Sequence, residues 1–456
     1  MTKRIAIILA AGQGTRMKSP LPKVLHEVGG RSMLGWSVAL AADLGCERTI
    51  VVAGPGAEAV QAEAGRLVGP ANVCVQAEQL GTANAVDAAR NLVADEDGQA
   101  IVLYADTPLI PVEAGERAFA QLDAGASICV LGFDAAEPGK YGRLKRAADG
   151  SLEAIVEAND ATDEELAITL CNSGVMAGPA KLMFELIAEV GNDNAKGEYY
   201  LTDLVKLARA RGLKAAVAEC DERDVLGVNS QAELAVAERV FQEQARAALM
   251  RDGVTMPAPE TVFLSWDTRI GPGAVVEQNV VFATRVEVAG GARIRAFSHL
   301  EGCKVEAGAV VGPYARLRPG AQIGVDAHIG NFVEVKNTIV GEGAKANHLS
   351  YLGDGDVGAG ANIGAGTIFC NYDGFFKYRR VIGEGAFIGS NSALVAPVRV
   401  GKRGYVGSGS VITVDVEGGS LSIGRGRQID KPGWGDEFRK QQTALKESGK
   451  KPNGAI

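Results

Sequence analysis

Two groups of polar residues in this sequence have the types and spacing that chemistry requires. The first begins with the run Leu9–Met17 (LAAGQGTRM), which follows a short apolar stretch, and it continues to Pro22-Lys23. Small residues after a buried strand let backbone N–H groups approach an anion closely, and Arg16 and Lys23 add positive charge. The run lacks the Gly-Lys-Ser/Thr of a Walker loop and the third glycine of the dinucleotide fingerprint. It therefore predicts a polyphosphate site of another kind.

The second group contains Arg318, Lys336 and His348, which follow one another at intervals of roughly 18 and 12 residues. Histidine ionises near neutral pH, so it can serve as a general base. Two nearby cations suit an anionic ligand. These spacings bring the three residues together if the chain is coiled with a regular period.

The chain around the second group has such a period. Between Ile382 and Ile412, aliphatic residues recur at every sixth position, and glycine follows most of them. Neither an α-helix nor a plain strand repeats every six residues. A parallel β-helix does, because three short strands and their corners make one coil of about 18 residues. Similar aliphatic-Gly pairs occur upstream, so the pattern predicts a β-helix in the C-terminal half.

The N-terminal half has a different pattern. From Arg4 to about Asn229, short apolar runs alternate with helical patterns, which predicts a largely parallel sheet that binds ligands at the carboxyl ends of its strands. Ser230–Glu233 form a capping box that opens an amphipathic helix. We therefore predict a domain at 1–229, a connecting helix at 230–250 and a second domain at 251–456. We expect the polar tail of the second domain, from about residue 431, to be flexible.

Composition limits the functional classes. The sequence has 47 basic and 55 acidic residues and a net charge of −8, which argues against a general nucleic-acid binder. Its seven cysteines are scattered without any C-x-x-C spacing, which predicts reduced thiols in a cytoplasmic protein. The first residues do not form a signal-peptide pattern, and no apolar run approaches the length of a membrane span.

The first group and several later phrases resemble the sugar-1-phosphate nucleotidyltransferases. The later phrases are, in order, Gln79–Thr82, Tyr104–Asp106, Tyr141–Arg143, Ile155–Glu157, Asn172–Gly174, Glu198–Asp203 and Gly227–Asn229. With the hexads included, nearly the whole chain resembles the bifunctional N-acetylglucosamine-1-phosphate uridyltransferase/glucosamine-1-phosphate acetyltransferase family. This resemblance implies an α/β fold plus an all-β fold: a Rossmann-like nucleotidyltransferase domain, a connecting helix and a left-handed parallel β-helix of hexapeptide repeats.

For the N-terminal domain, the resemblance implies transfer of UMP from UTP to N-acetylglucosamine-1-phosphate, with release of pyrophosphate. Asp106 and Asn229 should bind Mg²⁺, and Gly142, Glu157 and Asn172 should hold the acetylated sugar. The full set of residues implied in binding UTP or the sugar nucleotide is Leu9, Ala10, Ala11, Gly12, Arg16, Lys23, Gln76, Gly81, Thr82, Tyr104, Ala105, Asp106, Gly142, Glu157, Asn172 and Asn229.

For the C-terminal domain, the resemblance implies acetylation of glucosamine-1-phosphate by acetyl-CoA, with His348 as general base. The residues implied in binding the sugar phosphate are Arg318, Lys336, Tyr351 and Asn362. Those implied in binding acetyl-CoA are Ala365, Asn371, Tyr372, Ser390, Ser408 and Arg425. Proteins of this β-helix type usually form homotrimers with the acetyl-transfer site between chains. The UDP-N-acetylglucosamine that results serves peptidoglycan and lipopolysaccharide synthesis.

The sequence departs from the family pattern at a few positions. Ala105 stands where glycine is expected, Asn84 where histidine is usual, Ala158-Asn159 where more polar residues follow Glu157, and Asn347 where a small residue is expected. None of these departures removes an implied metal ligand or phosphate contact.

Two alternatives to the bifunctional enzyme remain. The β-helix could be a non-catalytic oligomerisation module. It could also be a metal-dependent hydratase, which needs three histidines around Zn²⁺. His299, His328 and His348 are the histidines available in that half.

Overall fold

The structure is a computed structural model that describes residues 2–194 and 196–449. It contains two compact units, of which the first ends at Val286 and the second begins at Glu287. The boundaries predicted at residues 229 and 250 both fall inside the first unit and remain predictions. In the described part of the chain, no helix combines the length and the apolar character that crossing a membrane requires.

The first unit is built mainly from alternating strands and helices. Strands β1–β11 are Arg4–Ala10, Glu27–Val28, Arg31–Ser32, Arg48–Ala53, Val73–Val75, Gln99–Tyr104, Ile128–Asp134, Arg143–Arg146, Leu152–Val156, Leu170–Pro179 and Ala215–Cys220. Helices α1–α9 are Met33–Asp43, Glu58–Val68, Thr82–Asp87, Arg90–Val93, Val112–Asp123, Asp163–Leu166, Ala180–Ile187, Asp203–Ala210 and Gln231–Arg251. Three short strands complete the unit, β12–β14, at Arg269–Ile270, Val275–Val276 and Val281–Phe282.

The main sheet has the strand order β11-β7-β10-β6-β1-β4-β5. Strand β1 lies parallel to both of its neighbours, β4 and β6, and Ile5, Ile7 and Ile8 within it are fully buried. Strand β10 runs antiparallel to β6 and β7. The prediction of a largely parallel, Rossmann-like sheet is confirmed. Because the chain leaves β1 for β4 on one side and reaches β6 on the other, a crevice opens at the carboxyl ends of β1 and β6.

The connecting helix α9 begins where the capping box predicted. The Ser230 hydroxyl accepts a hydrogen bond from the backbone N–H of Glu233 at 3.3 Å. Further along, Glu238 accepts from the N–H of Gly29 at 2.7 Å, and Phe241 packs edge-on against Trp36 with ring centroids 5.6 Å apart. These contacts attach the helix to the sheet domain, which explains why it falls within the first unit.

The second unit is a stack of short parallel strands with corners between them. Strands β15–β34 are Glu287–Val288, Arg293–Ile294, His299–Leu300, Lys304–Val305, Val310–Val311, Arg316–Leu317, Gln322–Ile323, His328–Asn331, Glu334–Val340, Lys345–His348, Tyr351–Val357, Asn362–Ile363, Ile368–Cys370, Arg380–Ile382, Phe387–Ile388, Ala393–Val395, Arg399–Val400, Tyr405–Val406, Val411–Ile412 and Leu421–Ser422. These are the stacked strands of the predicted left-handed parallel β-helix.

The strands form three faces. Face 1 contains β16, β19, β22, β24, β26, β29, β32 and β34. Face 2 contains β17, β20, the first halves of β23 and β25, and then β27, β30 and β33. Face 3 contains the remaining strands. Paired residues are 16 to 18 positions apart, except across the inserted loop at residues 371–379, where the interval is 25 on each face.

The tail from about residue 431, whose flexibility remains a prediction, contains one helix. Residues Trp434–Glu447 form helix α10, in which Trp434 and Phe438 stack with ring centroids 5.0 Å apart. This aromatic pair lies at the i and i+4 spacing, where side chains on one helix face meet. The remainder of the tail, from residue 450, lies outside the described residues.

Candidate active sites

A cleft of about 410 Å³ lies at the carboxyl ends of β1 and β6. Its walls include ten of the residues predicted to bind the nucleotide: Leu9, Ala10, Ala11, Gly12, Lys23, Gln76, Gly81, Thr82, Tyr104 and Asp106. The cleft therefore lies at the position where an open α/β sheet binds its ligand. Residues from distant parts of the sequence meet there because parallel strands end at the same edge of the sheet.

Three polar side chains converge at one side of this cleft. The Lys23 ammonium donates to Asn229 Oδ1 at 3.0 Å and also to Asp106 Oδ2. Lys23 is only 10% exposed and Asp106 is 21% exposed, so solvent screens the pair weakly. Two oxygens that already face one cation have the chemistry that Mg²⁺ prefers, so Asp106 and Asn229 fit the predicted metal.

The glycine-rich loop after β1 brings Lys23 to the cleft. Gly14 has a φ of +62°, and a side chain there would place its Cβ 2.5 Å from that of Lys23. Gly12 has nothing within 4 Å of where its Cβ would stand, so its backbone faces open space on the cleft wall. A ligand can therefore approach the main chain at Gly12 closely.

Gly142, Glu157 and Asn172 form a second cluster in the first unit. The backbone N–H of Asn172 donates to the carbonyl oxygen of Gly142 at 2.8 Å, and a Cβ on Gly142 would lie 3.7 Å from both Glu157 Oε1 and Asn172 Cβ. Thr202 donates to Glu157 at 3.3 Å. Burial raises the pKa of Glu157, and the Thr202 hydroxyl only partly opposes the increase.

Tyr104 is near a carboxylate of each cluster. Its pKa is raised by burial and by the negative charges of Asp106 and Glu157, which both act on it. The carboxylates of Asp106 and Glu157 are therefore close to one ring. This arrangement suits a substrate that carries a phosphate at one end and hydroxyls at the other.

Six of the predicted nucleotide residues do not line the cleft: Asn229, Gly142, Glu157 and Asn172, which are described above, and Arg16 and Ala105. Arg16 is exposed in the short 3₁₀ helix Thr15–Met17, and Ala105 is fully buried in the core below the strand end. Conversely, the cleft wall includes Gln79 and Glu198, which we did not predict as binding residues. Gln79 donates to the carbonyl oxygen of Ala11 and so supports the loop. The phrases containing Gln79 and Glu198 were recognisable in the sequence, but nothing in them indicated which side chain faces the cleft.

In the second unit, His348 is exposed at the end of β24 on face 1. Asn331, His348, Ala365, Ser390 and Ser408 form a row along this face, one residue per coil, which we call the histidine row. Backbone hydrogen bonds connect its coils: Leu349 donates to Asn331, Gly366 to His348, Asn391 to Ala365 and Gly409 to Ser390. Coils are about 4.8 Å apart, so His348 to Ser408 spans roughly 14 Å. Arg425 lies against Gly409 at the far end of the row.

The predicted sugar-phosphate residues lie mostly on face 2. Arg318 donates to Glu334 at 2.8 Å, and Glu334 pairs with Tyr351 on the next coil. Lys336 stands two residues after Glu334 on the same strand. Asn371, from the inserted loop, donates to Tyr351 Oη at 3.3 Å, so it lies beside this group and not in the histidine row.

Two predicted residues lie apart from both groups. Asn362 begins β26, three residues before Ala365, which places it about 10 Å along face 1 from the histidine row. Tyr372 is exposed in the inserted loop. Within one chain, the structure therefore does not bring Asn362 next to Lys336 or His348.

The corner between faces 1 and 2 carries a row of large apolar side chains, which we call the corner ladder. It consists of Phe297, Tyr314, Phe332 and Leu349, which are 46–59% exposed. All four have positive φ angles of 50–61°, in the left-handed region that costs ordinary residues roughly 1–2 kcal/mol. The rings of Phe297, Tyr314 and Phe332 stack, with centroids 4.8 and 5.2 Å apart.

The same corner in later coils has small residues instead. Gly366, Asn391 and Gly409 occupy it next to Ala365, Ser390 and Ser408. Glycine and asparagine are the residues that this backbone conformation favours. The ladder thus combines backbone strain with apolar exposure in four successive coils and stops where the corner residues become small.

The three histidines of this half do not form a metal site. His299 is on face 2, whereas His328 and His348 are at opposite ends of face 1 strands. Among residues 2–194 and 196–449, no three histidine, cysteine, aspartate or glutamate side chains group closely enough to hold a metal ion. This geometry does not support the hydratase alternative.

Comparison with known proteins agrees with this architecture. Residues 6–170 match the model of the MobA-like NTP transferase domain. The bifunctional protein GlmU of Hyphomonas neptunium is 58% identical over 444 residues, covering 97% of this chain and 96% of that protein. The bifunctional protein GlmU of Cereibacter sphaeroides is 55% identical over 445 residues, covering 98% of each chain.

A solved structure of the inositol-1-phosphate CTP transferase from T. maritima is a more distant match. It has a TM-score of 0.43 and 18% identity, and the match covers 53% of this chain and 98% of that one.

The fold and the cleft define a nucleotidyltransferase that continues into a hexapeptide-repeat β-helix. The identity and coverage of the relatives go further: this chain belongs to the family of bifunctional GlmU proteins. It is a bifunctional transferase with a nucleotidyltransferase domain, as the sequence predicted.

Proposed function

We propose that this chain makes UDP-N-acetylglucosamine in two steps at two sites. The β-helix acetylates glucosamine-1-phosphate with acetyl-CoA, and the cleft couples the product to UMP from UTP. The observation that carries the proposal is the convergence of Asp106 and Asn229 on Lys23 at the ends of β1 and β6. A cation site next to main chain that phosphates can approach closely, at Gly12, suits the transfer of a nucleotidyl group.

In the uridylyl step, a phosphate oxygen of the sugar phosphate attacks the α-phosphorus of UTP and pyrophosphate leaves. No protein nucleophile is needed, so the residues act by positioning and by neutralising charge. The Lys23 ammonium binds the phosphates, and Gly12 allows them to approach the main chain closely. Glu157 and Asn172 bind and orient the sugar. When bound by Asp106 and Asn229, Mg²⁺ would supply further neutralisation of phosphate charge.

In the acetyl step, the sugar amine attacks the thioester carbonyl, the C–S bond breaks and the CoA thiol leaves. The amine must lose a proton, which His348 accepts. Arg318 and Lys336 hold the sugar phosphate, and the thioester arm lies along the histidine row. The exposure of His348 supports this role, because a buried imidazole could not reach a sugar amine.

We also propose that the chain acts as a homotrimer whose acetyl-transfer sites lie between chains. Leu349 of the corner ladder follows His348 directly and stands before Tyr351, so an exposed ridge separates the base from the cations of the same chain. A second copy laid against the ladder would cover its apolar side chains and offer its own cations or Asn362 to His348. The strained conformation of four exposed residues supports such a contact.

A cytoplasmic location fits the substrates UTP and acetyl-CoA, which are cytosolic metabolites. The cysteines support it: all seven are free, and burial raises the pKa of Cys129 and Cys303 to about 12, so these thiols stay protonated and unreactive.

The decisive experiment measures both reactions of the full chain in two histidine variants. His348→Ala should lower acetyl transfer by about 10²–10⁴ and leave uridylyl transfer unchanged. His299→Ala, an exposed histidine on face 2, is the matched control and should change neither rate. An unchanged acetylation rate in His348→Ala would instead favour a β-helix that serves only as a scaffold.

A further inference from the structure

Asn331 and His348 are partners across one coil of the β-helix. They are paired in register on β22 and β24, and Asn331 Oδ1 lies 2.6 Å from His348 Nδ1. Asn331 is half-buried, and its carbonyl oxygen accepts from the N–H of Leu349 at 3.0 Å. Both side chains therefore come from strands whose backbones are held by the same ladder of hydrogen bonds.

The chemistry of the amide decides which ring nitrogen carries the proton. The oxygen of an asparagine side chain can only accept a hydrogen bond, so the nitrogen that faces it must donate. Nδ1 of His348 then holds the proton, and Nε2 keeps its lone pair. On the other flank, the next coil presents Ala365, whose side chain cannot hydrogen-bond. Ser350, at the following corner, donates to the backbone oxygen of His348 and not to the ring.

We propose that Asn331 is a positioning residue for acetyl transfer: it fixes the imidazole orientation and directs the basic Nε2 away from face 1 towards the sugar amine. The inference rests on the proposed role of His348 as the base. A neutral amide orients the ring without adding charge. A carboxylate in the same place would also stabilise the protonated imidazole, which cannot accept a proton.

The kinetic test compares Asn331→Ala, Asn331→Asp and the control Asn347→Ala in the full chain. Asn347 precedes His348 on β24, and successive side chains of a strand point to opposite sides, so the Asn347 variant should retain both activities. Asn331→Ala should lower kcat for acetylation about 10- to 100-fold with little change in KM for glucosamine-1-phosphate. Asn331→Asp preserves the acceptor, so its activity should recover at high pH. The acidic limb of its pH–rate profile should move upward by about one pH unit. Uridylyl transfer reports whether each variant is folded.

A spectroscopic test needs no activity. The chain has four histidines, so nitrogen NMR of histidine-labelled protein can assign His348 as the signal lost in His348→Ala. We expect a protonated Nδ1 and an unprotonated Nε2 in the wild type, and a mixture of tautomers in Asn331→Ala. A protonated Nε2 in the wild type, or an unshifted pH profile in Asn331→Asp, would overturn the inference. Full acetylation by His348→Ala would overturn the proposed base itself, which is a separate result.

Discussion

The backbone N–H of Val228 donates to the carbonyl oxygen of Asp106 at 2.9 Å. This bond joins the loop after β6 to the segment that leads into helix α9, and it sets Asn229 beside Asp106. The N–H of Asn229 in turn donates to Glu233 at 2.6 Å, in the first turn of the helix. The proposed metal ligands are therefore held by the main chain and by the start of the connecting helix.

Removing the proposed metal ligands should separate the two activities. Asp106→Ala should lower uridylyl transfer by about 100-fold or more, because neutralisation of phosphate charge is worth several kcal/mol. Asn229→Ala should lower the rate of uridylyl transfer less at saturating Mg²⁺. It should, however, need a higher Mg²⁺ concentration than the wild type to reach half its maximal rate. Initial rates measured across a Mg²⁺ titration test both expectations.

The control is Asp97→Ala, which removes an exposed carboxylate paired with Lys181. It should leave the Mg²⁺ dependence unchanged. Acetyl transfer should also stay unchanged in all three variants. If Asp106→Ala kept the wild-type Mg²⁺ response, the assignment of Asp106 as a metal ligand would be wrong.

Substitution by alanine should have different effects at two glycines of the cleft: it should weaken UTP binding at Gly12 and lower stability at Gly81. Gly12→Ala has room for its Cβ, so its unfolding midpoint should be nearly unchanged, but KM for UTP should increase about tenfold because the methyl group occupies space at the phosphates. Gly81 has a φ of +118°, and a Cβ there would lie 2.5 Å from the carbonyl oxygen of Tyr199. Gly81→Ala should therefore lose about 1–3 kcal/mol of stability. Denaturant unfolding and UTP kinetics measured on the same preparations separate the two effects.

Much of this architecture could be predicted from the sequence because it follows from short-range patterns. The interval of 18 residues between Arg318 and Lys336 equals one coil, and these two residues do fall in the same row of face 2. The alternation of strands and helices likewise predicted the crevice that contains Leu9 and Asp106. The 18-residue interval can be predicted because every coil of the β-helix repeats the same backbone geometry.

Other features depend on details that the spacing does not contain. His348, 12 residues after Lys336, lies around a corner from it, and the sequence did not indicate that Leu349 would stand exposed between them. Asn331 was detectable in principle, since it lies one coil before His348, but many polar pairs share that interval. Asn229 meets Asp106 because of the strand order, which the resemblance implied and the spacing alone did not.

Glu157 gives a pH-dependent prediction. Its raised pKa means that the folded state binds the proton more tightly, so its contribution to stability is fully present below the unfolded value near 4.5 and is lost as the pH rises through the folded value. The side chain of Glu157→Gln cannot ionise, so this variant does not lose stability in this way as the pH rises. The stability of the variant relative to the wild type should therefore increase from pH 4 to pH 7, measured by denaturant unfolding.

The control is Glu153→Gln, an exposed position on β9 four residues before Glu157, where solvent screens the charge, so the change in stability should be small. Glu157→Gln should also bind the acetylated sugar more weakly, because the carboxylate is a stronger acceptor for hydroxyls than an amide. A stability difference that does not vary with pH would contradict the physical account of Glu157.

Substitutions in the corner ladder should stabilise the single chain and weaken its association with other copies. Asparagine tolerates the left-handed conformation better than aromatic residues do, so Tyr314→Asn with Phe332→Asn should relieve backbone strain in the isolated chain. If the ladder is covered by a second copy, the same variant removes two stacked aromatic anchors from the contact. We therefore expect sedimentation equilibrium to find an associated wild type and a mainly monomeric variant.

Activity should follow the change in assembly. Acetyl transfer by the double variant should fall and should recover partly at high protein concentration, because mass action restores the shared site. Uridylyl transfer, whose cleft is contained in the first unit, should not change. Val325→Asn, an exposed apolar residue at a different corner, is the matched control and should assemble normally. If the double variant assembled as tightly as the wild type, the ladder would not be the contact between copies. A contact that includes the ladder must weaken when both rings are removed.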